Sequence, residues 1–304
     1  MKSLNKQWQR SIVIAMVVIL SVVLLAGCGG TTTPAEKDPV PMTPSASDNK
    51  TVNIGIVNWA ECVAVSNLWK EILEEKGYKV NLMSLEVAPL FVGLNKGDLD
   101  VFMDAWLPIT HQSYWEKYQS ELDDYGIWYK SEAKIGLVVP KYVTIDSIAD
   151  MKAKKNEFAG KIVGIDPGAG IMKAADAANK SYDLGFDVIQ SSEAAMITAL
   201  DKAYRNKEWV AITGWSPHWK FAKYDLKYLE DPKGDFGGAE EIHTLANKKF
   251  TQSNPEVAKM LKTFKLDDQQ IGTLEALINE GMEPQAAAKK WIEDHKVLVD
   301  SWLK

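Results

Sequence analysis

Cysteine is nearly absent from this chain of 304 residues: Cys28 and Cys62 are the whole complement, too few for a cysteine zinc cluster. The four histidines, His111, His218, His243 and His295, show no His-Glu-x-x-His spacing, and no Gly-x-Ser-x-Gly elbow occurs, so the common hydrolase signatures are missing. Adjacent carboxylates do occur, as at Asp123-Asp124, but they read as solvated loop charge. The chain is expected to be no enzyme and to hold no cofactor and no metal. Basic charge is also short, with 35 Lys and Arg against 41 Asp and Glu for a formal charge of −6, which argues against nucleic acid as a partner. An overall 46% hydrophobic and 25% charged content is ordinary for a globular protein and excludes collagen, a disordered tail and a polytopic membrane protein. Tryptophan is what stands in excess: 11 Trp against 10 Tyr and 8 Phe.

The first residues read as an address. Lys2, Lys6 and Arg10 precede the uncharged stretch 11–25, which ends in Leu25-Ala26-Gly27-Cys28. A basic start, a short apolar core and small residues make a secretory signal, and the core is short of the about 20 residues that span a bilayer. Leu-Ala-Gly-Cys resembles the lipobox of bacterial lipoproteins, which implies cleavage before Cys28 and lipidation of its thiol. Residues 1–27 are then the signal peptide, and 28–50, rich in Thr, Pro and Ser, the lipidated tether. Cleavage removes three positive charges and no negative ones, taking −6 to −9. Cys62 is left alone, with no intramolecular disulfide possible, and is expected to be buried and inert.

From Thr51 onward the pattern alternates strands and helices. Strands are expected at 51–58, 79–85 and 99–104, with helices at 65–76, 90–95 and 112–117. The second half repeats the plan, with strands at 161–166 and 208–213 and helices at 171–179 and 192–203. Such alternation points to an α/β fold with mainly parallel sheets. Asp104-Ala105-Trp106-Leu107-Pro108 and Thr213-Gly214-Trp215-Ser216-Pro217 place Trp-x-Pro at matching strand ends. Two similar lobes, 51–139 with 241–304 and 140–240, would be joined by crossings at 135–139 and 240–246, a clamshell that closes by hinge motion. The last sixty residues read as helical, with clear pieces at 255–261 and 274–278.

Ligands bind outside the carboxyl ends of strands in open α/β sheets. That rule places Trp59, Trp106 and Trp215 at the cleft, whereas Trp69, Trp115, Trp209, Trp291 and Trp302 read as core. Indole faces attract cations by about 0.5–2 kcal/mol each, and a quaternary ammonium suits such a box because it has no N–H to leave unpaired. An amine bearing N–H would want an acidic acceptor, and Asp104 and Glu61 stand nearby. His111, five residues past Trp106, can donate to a carboxylate; a capping or surface histidine is the plain alternative. The Gly168–Ile171 turn before a helix offers backbone N–H groups at a positive dipole end. It lacks the Gly-Lys-Ser/Thr ending of a P-loop. An ammonium cage and an anion site together describe a zwitterion such as a betaine.

Four blocks carry a family resemblance: NIGIVNWAECVAVSNLWKEILEEKGY (53–78), LNKGDLDVFMDAWLPITH (94–111), VGIDPGAGIM (163–172) and VAITGWSPHWKFAKYDLKYLEDPKG (210–234). The chain resembles the extracytoplasmic glycine betaine/proline betaine-binding proteins of ABC importers over nearly its whole mature length. The resemblance implies a two-lobed periplasmic-binding-protein clamshell of type II-like plan. It implies Trp59, Trp106 and Trp215 as the trimethylammonium cage, and His111 with the backbone amides of Gly170 and Ile171 as the carboxylate site. It further implies delivery to an ABC permease with its ATPase subunits, in osmoprotection, from the outer face of the cell membrane. The competing ligands are other quaternary ammonium compounds, choline or carnitine. His218 and Trp219 are left outside the cage.

Overall fold

The computed structural model describes residues 50–304; the expected signal peptide, Cys28 and all but the last residue of the tether lie outside them. The chain opens with β1 (Thr51–Ile56), α1 (Ala60–Glu75), β2 (Lys79–Ser84), α2 (Val87–Lys96), β3 (Val101–Leu107), α3 (Gln112–Tyr118) and β4 (Leu122–Ile127). It continues through β5 (Lys134–Pro140), β6 (Lys161–Val163), α4 (Gly170–Ser181), β7 (Asp187–Ile189), α5 (Glu193–Asn206), β8 (Ala211–Ser216), α6 (Lys220–Lys223) and β9 (Leu226–Tyr228). Then follow β10 (Glu241–Asn247), α7 (Lys248–Ser253), α8 (Pro255–Thr263), α9 (Asp268–Asn279), α10 (Pro284–Asp294) and α11 (Lys296–Trp302).

These strands form two five-stranded mixed sheets, ordered β2-β1-β3-β10-β4 and β7-β6-β8-β5-β9. In each, three strands run parallel and the fourth and fifth complete an antiparallel edge. The two sheets therefore share one plan, with β3 and β8 in equivalent places. Trp106 and Trp215 are the penultimate residues of these two strands, not residues beyond their ends. The reason lies in partners distant in sequence: Trp106 is opposite Ile242 of β10 and Trp215 opposite Ile135 of β5, so the antiparallel neighbours extend each ladder past the apolar run.

The crossing segments also differ from expectation. Residues 135–139 lie inside β5, paired with β8 and β9 in the second sheet, and 241–246 lie inside β10 in the first. The chain passes between sheets just before each of these strands. There Ala133 and Glu240 pair with each other as an isolated antiparallel bridge, so the two crossings run side by side. An apolar run marks a strand but not the sheet that strand joins. Asp123 and Asp124 likewise sit in β4, where Asp124 meets the His243 ring at 2.9 Å.

Helices α9 and α10 pack on α1 of the first sheet's lobe. An aromatic cluster fills this region. Trp69 and Trp302 stack at 6.3 Å between centroids, Trp291 and Trp302 at 6.4 Å, and Phe264 stands edge-on to Trp302 at 4.9 Å. These indoles are core, each large ring removing roughly 150–250 Å² from water. Trp115 is only half-buried on α3. Trp209 precedes β8 rather than lying in it, and covers Phe158 at 5.1 Å from a half-buried loop. Among the described residues no helix is long and apolar enough to cross a membrane.

Candidate functional site

One cavity of about 290 Å³ lies between the two sheets, and Trp59, Trp106, His111, Gly170, Ile171 and Trp215 all line it. Trp59 is the residue just before α1; Trp106 and Trp215 come from β3 and β8. All three indoles are buried, as is His111. Positions separated by more than 150 residues thus meet because equivalent strands of two sheets point their carboxyl ends at one gap.

Each indole N–H is bound to a carboxylate. Trp106 Nε1 donates to Asp104 Oδ1 at 2.9 Å, Trp215 Nε1 to Glu61 Oε2 at 2.8 Å, and Trp59 Nε1 to Asp166 Oδ2 at a longer 3.4 Å. Asp104 and Glu61, the acidic groups near the cage in the sequence, are therefore engaged by its walls. His111 stacks on one face of Trp59, and the Lys220 ammonium stands over the Trp215 ring at 4.0 Å. Burial, then the neighbouring Glu193 carboxylate, pushes the Glu61 carboxyl up to about 8. Burial followed by Glu61 holds Asp104 well above the usual carboxylate range.

His111 supplies the opposite chemistry. Its ring stacks on Trp59 at 5.8 Å. Its Nδ1 accepts the backbone N–H of Trp106 at 2.9 Å, while its buried Nε2 has no partner among the described residues. Burial, with the Lys173 cation second, lowers the imidazole to about 3, so the ring is neutral and its single proton sits on Nε2. A buried, unsatisfied donor is a group waiting for an acceptor. Beside it, Gly170 and Ile171 are the first two residues of α4, whose N–H groups have no intrahelical acceptor. The 109–111 loop is held by Glu240, whose carboxylate accepts the backbone N–H groups of Ile109 at 3.2 Å and Thr110 at 2.7 Å and the Thr110 hydroxyl.

The two lobes are closed upon this cavity. Besides the Trp215–Glu61 bond, Ala60 N–H donates to Glu193 at 3.0 Å and the Tyr114 hydroxyl to the Gly168 carbonyl at 3.1 Å. The lobes also meet at Gly170, where a side-chain carbon would fall 2.3 Å from the Thr110 carbonyl oxygen. Only glycine permits it. Glu61, Thr110, Ile135, Ile165 and Ala169 also line the cavity. Of these, Glu61 had a signal in the sequence, two residues from Trp59. Thr110, Ile135 and Ile165 are ordinary residue types placed there by sheet geometry.

Residues 50–294 match the family model described as the substrate-binding domain of ABC-type glycine betaine transport systems. A glycine betaine/carnitine transport binding protein of Listeria monocytogenes is 40% identical over 162 residues, covering 51% of this chain and 54% of that relative, about half its length. Lactococcal OpuAC, solved in a closed-liganded conformation with glycine betaine, superposes with a TM-score of 0.79 at 39% identity over 84% of this chain and 99% of that one. An ABC-transporter choline-binding protein in complex with choline superposes with a TM-score of 0.77 at 28% identity, covering 84% and 92%.

Proposed function

The chain belongs to the family of substrate-binding domains of ABC-type glycine betaine transport systems, and on that footing we propose that its cavity captures glycine betaine or proline betaine for uptake through an ABC permease. One observation carries the reading: three indoles face the same small cavity as a buried His111 Nε2–H with no acceptor. The indole faces would take the trimethylammonium group. His111 Nε2 and the amides of Gly170 and Ile171 would take the carboxylate, compensated by the positive end of α4. Desolvation strengthens both interactions, since a quaternary ammonium leaves no N–H unpaired and each buried donor gains an anionic acceptor.

The cage is divided between lobes, Trp59, Trp106 and His111 against Trp215, Gly170 and Ile171. Ligand then stabilises the closed state, because only there are all contacts made. The closed form would dock on the permease, with ATP hydrolysed on other subunits. A lipid on Cys28 would keep the protein at the outer face of the membrane. In this reading the lobes comprise the first sheet with α1–α3 and α7–α11, and the second sheet with α4–α6.

Choline is the second reading, favoured by the likeness to the choline-binding structure. It has no carboxylate, and its one hydroxyl oxygen is a neutral acceptor for three converging donors, so the charge-assisted bonds of a betaine carboxylate would be lost. Carnitine carries both a quaternary ammonium and a carboxylate, and the Listeria monocytogenes relative is described as a glycine betaine/carnitine transport binding protein, so carnitine belongs in the comparison. Titration of intrinsic tryptophan fluorescence with glycine betaine, proline betaine, carnitine and choline tests the order. A response to the betaines that is lost in the Trp106→Ala/Trp215→Ala double variant is expected. A response to choline alone would overturn the betaine reading.

A further inference from the structure

Trp215 is fixed differently from the other cage indoles. Trp106 donates to Asp104, two residues back in its own strand, so its ring is set within one lobe whatever the other lobe does. The Trp59 acceptor, Asp166, lies across the cleft but at 3.4 Å, and is only half-buried. Trp215 makes a 2.8 Å bond to Glu61 of α1, a fully buried group of the opposite lobe. Its own lobe holds it by Lys220 alone among charged groups: Lys220 Nζ donates to the Trp215 carbonyl at 3.1 Å and stands 4.0 Å from the ring centroid.

Glu61 follows Trp59 by two residues, in the first turn of α1. The same turn thus delivers one cage wall and the acceptor for the wall opposite. A carboxyl placed in so apolar a lining is costly unless hydrogen-bonded. Its neighbours are mostly acidic: Glu193 across the cleft, Asp104 in β3 and Glu275 on α9, against the single cation Lys220. The side-chain hydrogen bond it makes is to the Trp215 indole. We propose that Glu61 is a positioning residue through which lobe closure sets the orientation of Trp215, so that the third wall of the cage is completed by the partner lobe and not by its own. The proposal rests on the cage reading given above and adds to it what sets the third wall: the bond across the closed cleft from the Trp215 indole to Glu61.

The experiment compares Glu61→Gln, Glu61→Leu and Trp215→Phe in glycine betaine titrations followed by tryptophan fluorescence and calorimetry. Glutamine keeps an oxygen that accepts from the indole but carries no charge; leucine keeps volume but accepts nothing. Glu61→Gln is expected to stay within about threefold of wild type, and Glu61→Leu to lose about tenfold or more. In the Trp215→Phe background, where the N–H is gone, Glu61→Leu is expected to add no further loss. Equal losses for Gln and Leu would overturn the proposal, because they would assign Glu61 to the ligand's charge. An unchanged Glu61→Leu would overturn it too.

A second measurement needs no change at Glu61. In protein labelled with 15N at indole nitrogens, the Trp215 N–H resonance, identified by its absence in Trp215→Phe, should move downfield on adding saturating glycine betaine. The Trp106 resonance should move less. A Trp215 resonance that does not respond while calorimetry shows binding would overturn the proposal. Should wild type bind choline and not glycine betaine, the betaine reading fails by itself, and the same series run with choline decides Glu61.

Discussion

His111 Nδ1 accepts the backbone N–H of Trp106 at 2.9 Å, and this one bond decides where the ring keeps its proton. With Nδ1 occupied as an acceptor, Nε2 must be the donor; it is buried without a partner among the described residues, on a residue that lines the cavity with the three indoles. The residue that builds a cage wall thereby also sets the tautomer of the group proposed to hold the carboxylate.

Replacing His111 by Phe keeps an aromatic ring against Trp59 but removes the donor. Affinity for glycine betaine is expected to fall by about tenfold to a hundredfold, the usual worth of a hydrogen bond to a charged group. Any response to choline should be much less affected. Calorimetry with the two ligands checks this, and an equal loss for both would sink the assignment of His111 to a carboxylate.

Gly170→Ala places a methyl group where only 2.3 Å separates it from the Thr110 carbonyl. The clash is between lobes and not within one. Betaine affinity is expected to drop by about tenfold or more, in line with overpacking costs of about 1–3 kcal/mol. Small-angle scattering should show no compaction when ligand is added. A variant that still compacts and binds as wild type does would contradict the closed contact.

Stability should depend on pH through Glu61 in a definite direction. Its carboxyl lies at about 8 in the folded chain against an ordinary 4.5, so the folded state binds the proton more tightly than the unfolded state does. A group with a raised folded value contributes fully below about pH 4.5 and loses that contribution as pH rises through about 8. Glu193, Glu275, Asp104 and Lys220 titrate in the same cluster, so the contribution is isolated as a difference. The melting temperature of wild type minus that of Glu61→Gln should decrease from pH 5 to pH 9. A difference that stays constant would show that Glu61 does not carry the raised value.

Cys62 is fully buried on α1, and its sulfur accepts the Val57 N–H at 3.4 Å. Burial, with Asp104 second, holds its thiol well above the usual range, so almost no thiolate is present at neutral pH. In a chain carrying Cys28→Ser, a thiol reagent at pH 8 should label Cys62 only after denaturant is added. Prompt labelling of the native protein would refute the inert reading.

The pattern of alternating strands and helices was legible because its periods are local, and so were the paired Trp-x-Pro strand ends that announce two similar halves. The tryptophans divide in the same way. Trp69, Trp291 and Trp302 read as core from helical position, and the structure buries them together. Trp209 did not follow its pattern, because its segment lies outside the ladder formed by β8. The crossings were misplaced for a related reason: β5 and β10 are each apolar enough to be strands, but which sheet a strand joins is decided by partners far along the chain.

Strand-end position pointed to Trp59, Trp106 and Trp215, and the family resemblance to His111, Gly170 and Ile171; all six line the one cavity. Only the tertiary structure decided what each one does to the others. The carboxylate behind each indole, the tautomer of His111, the Gly170–Thr110 contact and the hold of Glu61 on Trp215 join residues as far as 154 positions apart. Hydrogen bonds and close contacts act over about 3 Å, and no local spacing encodes a distance that exists only once two sheets face each other. The excess of tryptophan drew attention to Trp59, Trp106 and Trp215; the fold brought the three to one cavity.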